Sequence, residues 1–226
     1  MQTSKITFLF DIDNTLLDHD TVTAQLRAKL SSEVGQDCAD RYWRIFNEIR
    51  TELGYADYLG ALQSYRLDNL HGPQLLEVSR FLLQYPFEER AYPGAFDTVR
   101  AAQKFGQTVI LSDGDVVFQP LKTFRSGIFD LFHGKILIYI HKEQELANVA
   151  ERFPSDHYVM VDDKIRLLTA MKSIWKEKLT TVFVRQGHYA TDTATVAQYP
   201  PADVTVDKIA DLIPHLQAGI QGLRHP

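Results

Sequence analysis

The sequence predicts an α/β protein, with a mainly parallel central sheet flanked by helices and a helical segment inserted early in the chain. Three observations predict it. Short runs that are apolar at nearly every position recur at residues 6–10, 108–111, 136–140, 158–161 and 181–184, as expected of strands covered on both faces of a parallel sheet. From about residue 92 onward these runs alternate with stretches of helical period, the alternation of a layered α/β fold. Between Asp20 and Ala91 the alternation stops, and roughly 70 residues carry helical stripes alone.

Taken in order, the first strand, 5–10, ends in Asp11-Ile12-Asp13-Asn14-Thr15-Leu16. Side chains alternate along a strand, so Asp11 and Asp13 lean to one side while Ile12 turns away. Carboxylates that close repel unless a cation or a shared proton intervenes. Four helical stripes follow. Val22, Leu26, Leu30 and Val34 form the first, and Tyr42, Ile45, Phe46, Ile49 and Leu53 the second. Tyr58, Leu59, Leu62, Tyr65 and Leu70 suggest a third, and residues 75–85 a fourth, with breaks near Gly35, Gly54 and Gly72-Pro73. The aromatic group Tyr42, Trp43 and Phe46 reads as core of this segment. Arg44, Arg50, Tyr55 and Arg66 either line a substrate face of this segment or form its solvated face, and the solvated face is the preferred reading.

A helix over 94–105, with Phe96, Val99, Ala102 and Phe105 one turn apart, leads into strand 108–111. Ser112, Asp113 and Gly114 come directly after it. Lys142 follows the run 136–140, and Asp162-Asp163 end the run 158–161. A helix over 165–174, the strand 181–184, a loop over 198–202 with Pro200-Pro201, and a short strand and helix (208–216) complete the chain. Ligands of open α/β sheets bind beyond the carboxyl ends of the strands. Asp11, Asp13, Ser112, Lys142, Asp162 and Asp163 can therefore converge, although they are far apart in sequence.

Composition narrows the function. The 226 residues are 45% hydrophobic and 23% charged, with a net charge of −5. No Lys/Arg block marks a nucleic-acid footprint. Cys38 is the single cysteine, which excludes an internal disulfide and a thiolate metal cluster. No signal-peptide pattern and no apolar run of about 20 residues is present, so a cytoplasmic protein without membrane contact is expected. No Gly-x-Gly-x-x-Gly follows a strand, so a dinucleotide site lacks support. His19, His133, His141, His157 and His188 lack metal-ligand spacing and read as surface or loop residues, with His19 near enough to the first motif to face a cleft.

With these motifs in this order, the chain resembles the haloacid dehalogenase-like hydrolases, the superfamily of aspartate-nucleophile phosphatases. The resemblance rests on Asp-Ile-Asp-Asn-Thr-Leu, the serine after the second strand, the lysine, the Asp-Asp pair, and Tyr92-Pro93-Gly94 leading into a helix. It implies a Rossmann-like core over 1–16 and 92–226 and a helical cap of the C1 type over 17–91. It implies Asp11 as nucleophile, forming an aspartyl-phosphate, and Asp13 as acid and base. Ser112, Asp113, Gly114 and Lys142 would bind the phosphoryl group. A Mg²⁺ ion would be held by Asp11, Asp163 or Asp162, and the backbone carbonyl of Asp13. Asp13 is then expected to hold a proton at neutral pH, above its ordinary pKa of about 3.9.

The activity so implied is hydrolysis of a small phosphorylated metabolite. A phosphomutase, a phosphonate hydrolase and a non-catalytic phosphate-binding scaffold are the alternatives. Haloacid dehalogenation is disfavoured, because a halide needs no acid and the family's dehalogenases lack one at the position of Asp13. Two departures stand out: Glu143 follows Lys142 where many members have proline, and the last motif is Asp-Asp rather than Gly-Asp. By position Asp163 is the favoured ligand, with Asp162 close behind.

Overall fold

The computed structural model describes residues 5–67 and 74–218. The chain starts with strand β1 (Ile6–Phe10), every residue of which is buried. Four helices follow: α1 (His19–Val34), α2 (Gln36–Leu53), α3 (Tyr58–Leu67) and α4 (Gln74–Gln84). The remainder alternates strand and helix through α5 (Ala95–Gln103), β2 (Gln107–Asp113), α6 (Phe118–Arg125), α7 (Ile128–Leu131), β3 (Ile136–Tyr139), α8 (Leu146–Arg152) and β4 (His157–Asp162). It ends with α9 (Ile165–Trp175), β5 (Leu179–Val184), α10 (Gly187–Thr191), α11 (Thr193–Val196), β6 (Val204–Val206) and α12 (Leu212–Gln217).

The six strands form one sheet in the order β3-β2-β1-β4-β5-β6, every pairing parallel. Strand order reverses at β1: the chain builds outward to β3 on one side, then returns to place β4 on the other. That reversal opens a crevice at the carboxyl ends of β1 and β4, the usual ligand position in such sheets. Both faces of the sheet are covered. Phe8 and Phe10 pack with Val99, Ala102, Leu212 and Leu216 on one face. Leu9 packs with Val149, Leu168 and Met171 on the other. This two-sided burial is why β1 is apolar at successive positions.

The inserted helices have an apolar cluster of their own. Leu26, Leu30, Tyr42, Trp43, Phe46, Tyr58, Leu62, Tyr65, Val78 and Leu82 fill it, and Phe118 of α6 reaches in from the strand-bearing part. The second stripe fades at its end, where Leu53 is exposed. Leu70 and the Gly72-Pro73 break lie outside the described residues. The final helical pattern, expected as one helix over 208–216, is split by a 3-10 turn (Ile209–Asp211) before α12. His157, expected at the surface, is instead buried within β4 and shares a hydrogen bond with Thr180. Among the described residues, no helix is long and apolar enough to cross a membrane.

Candidate active site

β1 ends by delivering Asp11 into a buried position, its N–H donating to the Val161 carbonyl of β4 at 3.0 Å. The chain then turns sharply, with Asn14 in the left-handed region at φ 60°. The Asn14 side chain accepts from the His19 and Asp20 amides and donates to Asp20, which fixes the start of α1. Gln186 clamps the turn from behind. Its amide donates to the Asn14 and Thr15 carbonyls at 3.4 and 3.2 Å, while its oxygen accepts from the Ile209 amide. Gly187 must be glycine here: its φ is +72°, and a Cβ would lie 2.4 Å from Asn14.

Asp11 faces a fully buried lysine. Lys142 Nζ lies 2.6 Å from Asp11 Oδ1, 2.7 Å from Asp162 Oδ2 and 3.3 Å from the Leu111 carbonyl. The Asp162 contact is ionic without hydrogen-bond alignment. Burial disfavours the ammonium, but the charges of Asp11, Asp162 and Asp113 outweigh it and raise the Lys142 pKa. Thr15 Oγ1 donates to the second Asp11 oxygen at 3.4 Å, and Ser112 Oγ approaches the first at 3.5 Å.

The Asp113 carboxylate accepts from the Lys142 amide at 2.7 Å, and the Gly114 N–H donates to the Tyr139 carbonyl. Both residues thus hold the loop that carries the lysine. On the far side of that loop, His141 packs so tightly under Gly54 that a Cβ there would meet its ring at 2.5 Å.

Asp162 and Asp163 complete this half of the site. One oxygen from each of Asp11, Asp162 and Asp163 lies within 4.8 Å of the others, and all three residues are buried. Asp162 Oδ1 accepts from the Lys164 amide, whereas both Asp163 oxygens are buried without a hydrogen-bond partner. Burial and the Asp162 charge push the Asp163 pKa well up; burial likewise raises that of Asp162 against the pull of Lys142. A buried carboxylate with no donor is costly, and a hard dication with oxygen ligands is the group that would relieve it. The residues therefore fit a divalent metal, with Asp163 the carboxylate most in need of one.

Asp13 lies in a different environment from the one expected. Lys122 of α6, itself buried, places Nζ 2.6 and 2.8 Å from the two Asp13 oxygens. Gln119, one turn earlier, donates to Asp13 at 3.3 Å and to Ser112 Oγ at 2.9 Å, and its oxygen accepts from Lys122. His19 Nδ1 is 3.5 Å from Asp13, and its Nε2 shares a 2.8 Å hydrogen bond with the Tyr58 hydroxyl of α3.

Burial raises the Asp13 pKa, but the His19 and Lys122 charges and the Lys122 hydrogen bond outweigh it. The carboxyl is held well below the usual carboxylate range. His19 is itself held down to about 4, chiefly by burial. It is therefore neutral at pH 7, and Lys122 is the partner that keeps Asp13 ionised there. This arrangement favours the ionised form of Asp13 over the protonated form expected from the sequence.

The strand ends thus bring Asp11, Ser112, Lys142, Asp162 and Asp163 together, with Asp13 beside them. Lys122 and Gln119 are not evident from the motifs. Their signal in the sequence is a polar i, i+3 pair lying beside the apolar Phe118 and Leu121, where a buried face needs partners for polar groups. A cleft of about 350 Å³ opens between Tyr55, Leu59 and Gly60 on one side and Gly114, Val116, Val117 and Ile140 on the other.

A family model described as haloacid dehalogenase-like hydrolase matches residues 7–174, a span that holds every one of these strand-end residues. The chain belongs to the haloacid dehalogenase-like hydrolases. It is an enzyme of that family, built on the family's Rossmann-like sheet. A candidate haloacid dehalogenase-like hydrolase from Burkholderia xenovorans LB400 is 57% identical, covers 93% of this chain and 96% of its own, and superposes with a TM-score of 0.89.

More distant structures share the fold. The YfnB hydrolase of Bacillus subtilis has a TM-score of 0.63 at 19% identity, covering 94% of this chain and 99% of its own. The L-2-haloacid dehalogenase of Xanthobacter autotrophicus has a TM-score of 0.61 at 15% identity, covering 93% and 98%. No curated protein matches the sequence.

Proposed function

We propose that this hydrolase is a Mg²⁺-dependent phosphatase of small phosphate monoesters, with residues 17–91 acting as a C1-type cap over a core of 1–16 and 92–226. One observation carries the reading: the buried, unpartnered Asp163 carboxylate beside Asp11 and Asp162. Phosphoryl transfer needs concentrated positive charge next to the nucleophile. A site with a vacant carboxylate there is suited to supply it through a cation. Asp11, Asp163, Asp162 and the backbone carbonyl of Asp13 would hold the ion, which when bound offsets the charge of the phosphoryl oxygens.

The chain's own residues do the rest. Asp11 attacks phosphorus, the bond from phosphorus to the ester oxygen breaks, and an aspartyl-phosphate forms. Lys142 sits between Asp11 and Asp162 as a fixed positive charge for the transferring group. Ser112, oriented by Gln119, offers its hydroxyl to a phosphoryl oxygen. A docked phosphate raises the Asp13 pKa by like-charge repulsion, and Asp13 takes up the proton of the monoanionic ester and passes it to the leaving oxygen. Its ionised form, the one Lys122 favours, then takes a proton from the water that hydrolyses the intermediate.

The Asp13–Lys122 pair also favours a second reading, carbon–halogen hydrolysis, since an ionised Asp13 is no acid and a halide needs none. Phosphate release from a panel of small monoesters, set beside halide release from 2-haloalkanoic acids, decides between them. Phosphate release that requires Mg²⁺ and disappears in Asp11→Asn is expected. Halide release without added metal, and no phosphate release, would overturn the proposal.

A further inference from the structure

Among the described residues, two cations at the edge of this site have no carboxylate within 4.0 Å, although one of them feels the carboxylates of the site at longer range. Lys164 directly follows the Asp162-Asp163 pair. It is half-buried, and its ammonium lies 5.0 Å over the ring of Tyr189 in α10. Arg50 of α2 reaches the same tyrosine from the inserted helices. Its guanidinium is 5.9 Å from the ring centre, and Nη2 donates to the Tyr189 hydroxyl. Neither cation forms an ion pair among the described residues. Of the neighbouring groups, Asp20 is committed to His188 and Asn14, and His188 stacks on Tyr189.

Lys164 is nevertheless within electrostatic reach of Asp11, Asp162 and Asp163, and it acts on Asp13 as well. Arg50 acts on Tyr58, whose hydroxyl meets the His19 that faces Asp13. The pair therefore borders the phosphoryl site rather than remote surface. Two like charges gathered on one aromatic ring repel, and an aromatic face offsets each only weakly when partly exposed. A ligand anion placed between them would relieve that repulsion with charge-assisted hydrogen bonds.

The geometry points to a second anion subsite, formed by Lys164 and Arg50 across Tyr189, that takes a carboxylate or second phosphate on the substrate's leaving group. This rests on the phosphatase reading and narrows it to doubly anionic esters. Neutral phosphorylated alcohols become poor ligands. A substrate of that kind would also draw the core loop after β4 and helix α2 together, because each contributes one cation.

Calorimetric binding to the Asp11→Asn protein in Mg²⁺ tests this, with inorganic phosphate, propyl phosphate, 3-phosphooxypropanoate and propane-1,3-diyl bisphosphate as probes. The expected result is that one or both doubly anionic esters bind about tenfold or more tightly than propyl phosphate. Adding Lys164→Met should bring that ratio to about one, and Lys164→Arg should restore it. Which ester gains more tells a carboxylate from a phosphate as the preferred arm. Arg50→Met, at an exposed position that should leave folding intact, is expected to lower the ratio several-fold, and it carries the test if Lys164→Met does not fold.

A ratio near one in the parent, or a ratio unchanged by both substitutions, would overturn the subsite while leaving the phosphatase reading intact. Failure of inorganic phosphate, which is not turned over, to bind the parent protein in Mg²⁺ would remove both.

Discussion

Asp11 and Asp13 are two residues apart, each within 2.6 Å of a buried lysine, yet their surroundings are opposite in balance. Asp11 has three carboxyl neighbours, Asp113, Asp162 and Asp163, and the only ammoniums set against these four groups are Lys142 and Lys164, so acidic groups outnumber cations by two. Around Asp13 one carboxylate meets one ammonium, with Gln119 and a neutral His19 completing its shell. One half of the site demands a dication and the other is already neutral. A single turn of chain thus separates a centre poised to gather charge from one poised to move a proton.

The comparison breaks most completely at Asp11, the proposed nucleophile. Asp11→Asn should lower turnover by about a thousandfold or more, with no phosphorylated protein trapped during turnover. Next comes the neutral half. Lys122→Met leaves Asp13 partly buried and unpaired, and should cost about 3 kcal/mol at pH 7 by urea denaturation. Because the folded-state pKa of Asp13 is depressed, this stabilisation is fully present above the unfolded value and is lost as pH falls through the folded one. Parent and variant should therefore converge only below about pH 4. Convergence at neutral pH would show that Lys122 does not hold Asp13 ionised.

Asp163→Asn acts in the opposite sense on the surplus-charge half. In metal-free buffer it removes a buried carboxyl that has no hydrogen-bond partner and ionises only at a cost, and should raise Tm by about 2–4 °C. The same variant should lose the stabilisation that Mg²⁺ gives the parent, so the order of the two melting curves inverts when Mg²⁺ is added. The smallest effect concerns His19. Its pKa near 4 predicts an imidazole resonance that does not titrate between pH 5 and 8. Tyr58→Phe, which removes its hydroxyl partner, should cost only about 1 kcal/mol.

Much of the surplus-charge half was legible in the sequence, and for one reason. Asp11, Ser112, Lys142, Asp162 and Asp163 each follow an apolar run, and parallel strands must end on the same side of the sheet. The neutral half was not legible, because Lys122 and Gln119 come from α6, an eight-residue helix whose apolar residues Phe118, Leu121 and Phe124 mark a different stripe from the buried Gln119, Lys122 and Thr123. Only tertiary packing reveals that its polar face is the buried one. The expectation of a protonated Asp13 failed on that point: strand geometry predicted where the carboxylate sits but not which cation meets it. Lys164 carries no signal of its own in the sequence, because the Tyr189 ring beside it and the Arg50 that shares that ring come from distant parts of the chain.

The Gln186 clamp has a consequence for how the molecule is made. Asp11 is synthesised early, yet Ser112 comes 101 residues later, Lys142 131 residues later, and Gln186 lies 172 residues beyond the Asn14 carbonyl it holds. At typical translation speeds the last of these partners emerges roughly 10–35 s after the turn it braces. Until β2 emerges, the apolar first strand has no sheet neighbour, and its second neighbour β4 comes later still, while most of the apolar cluster of α1–α4 is already made. The turn that carries Asp11 is thus among the first parts of the chain to be made, while the residues that brace it are among the later ones, so its final geometry must wait for most of the chain.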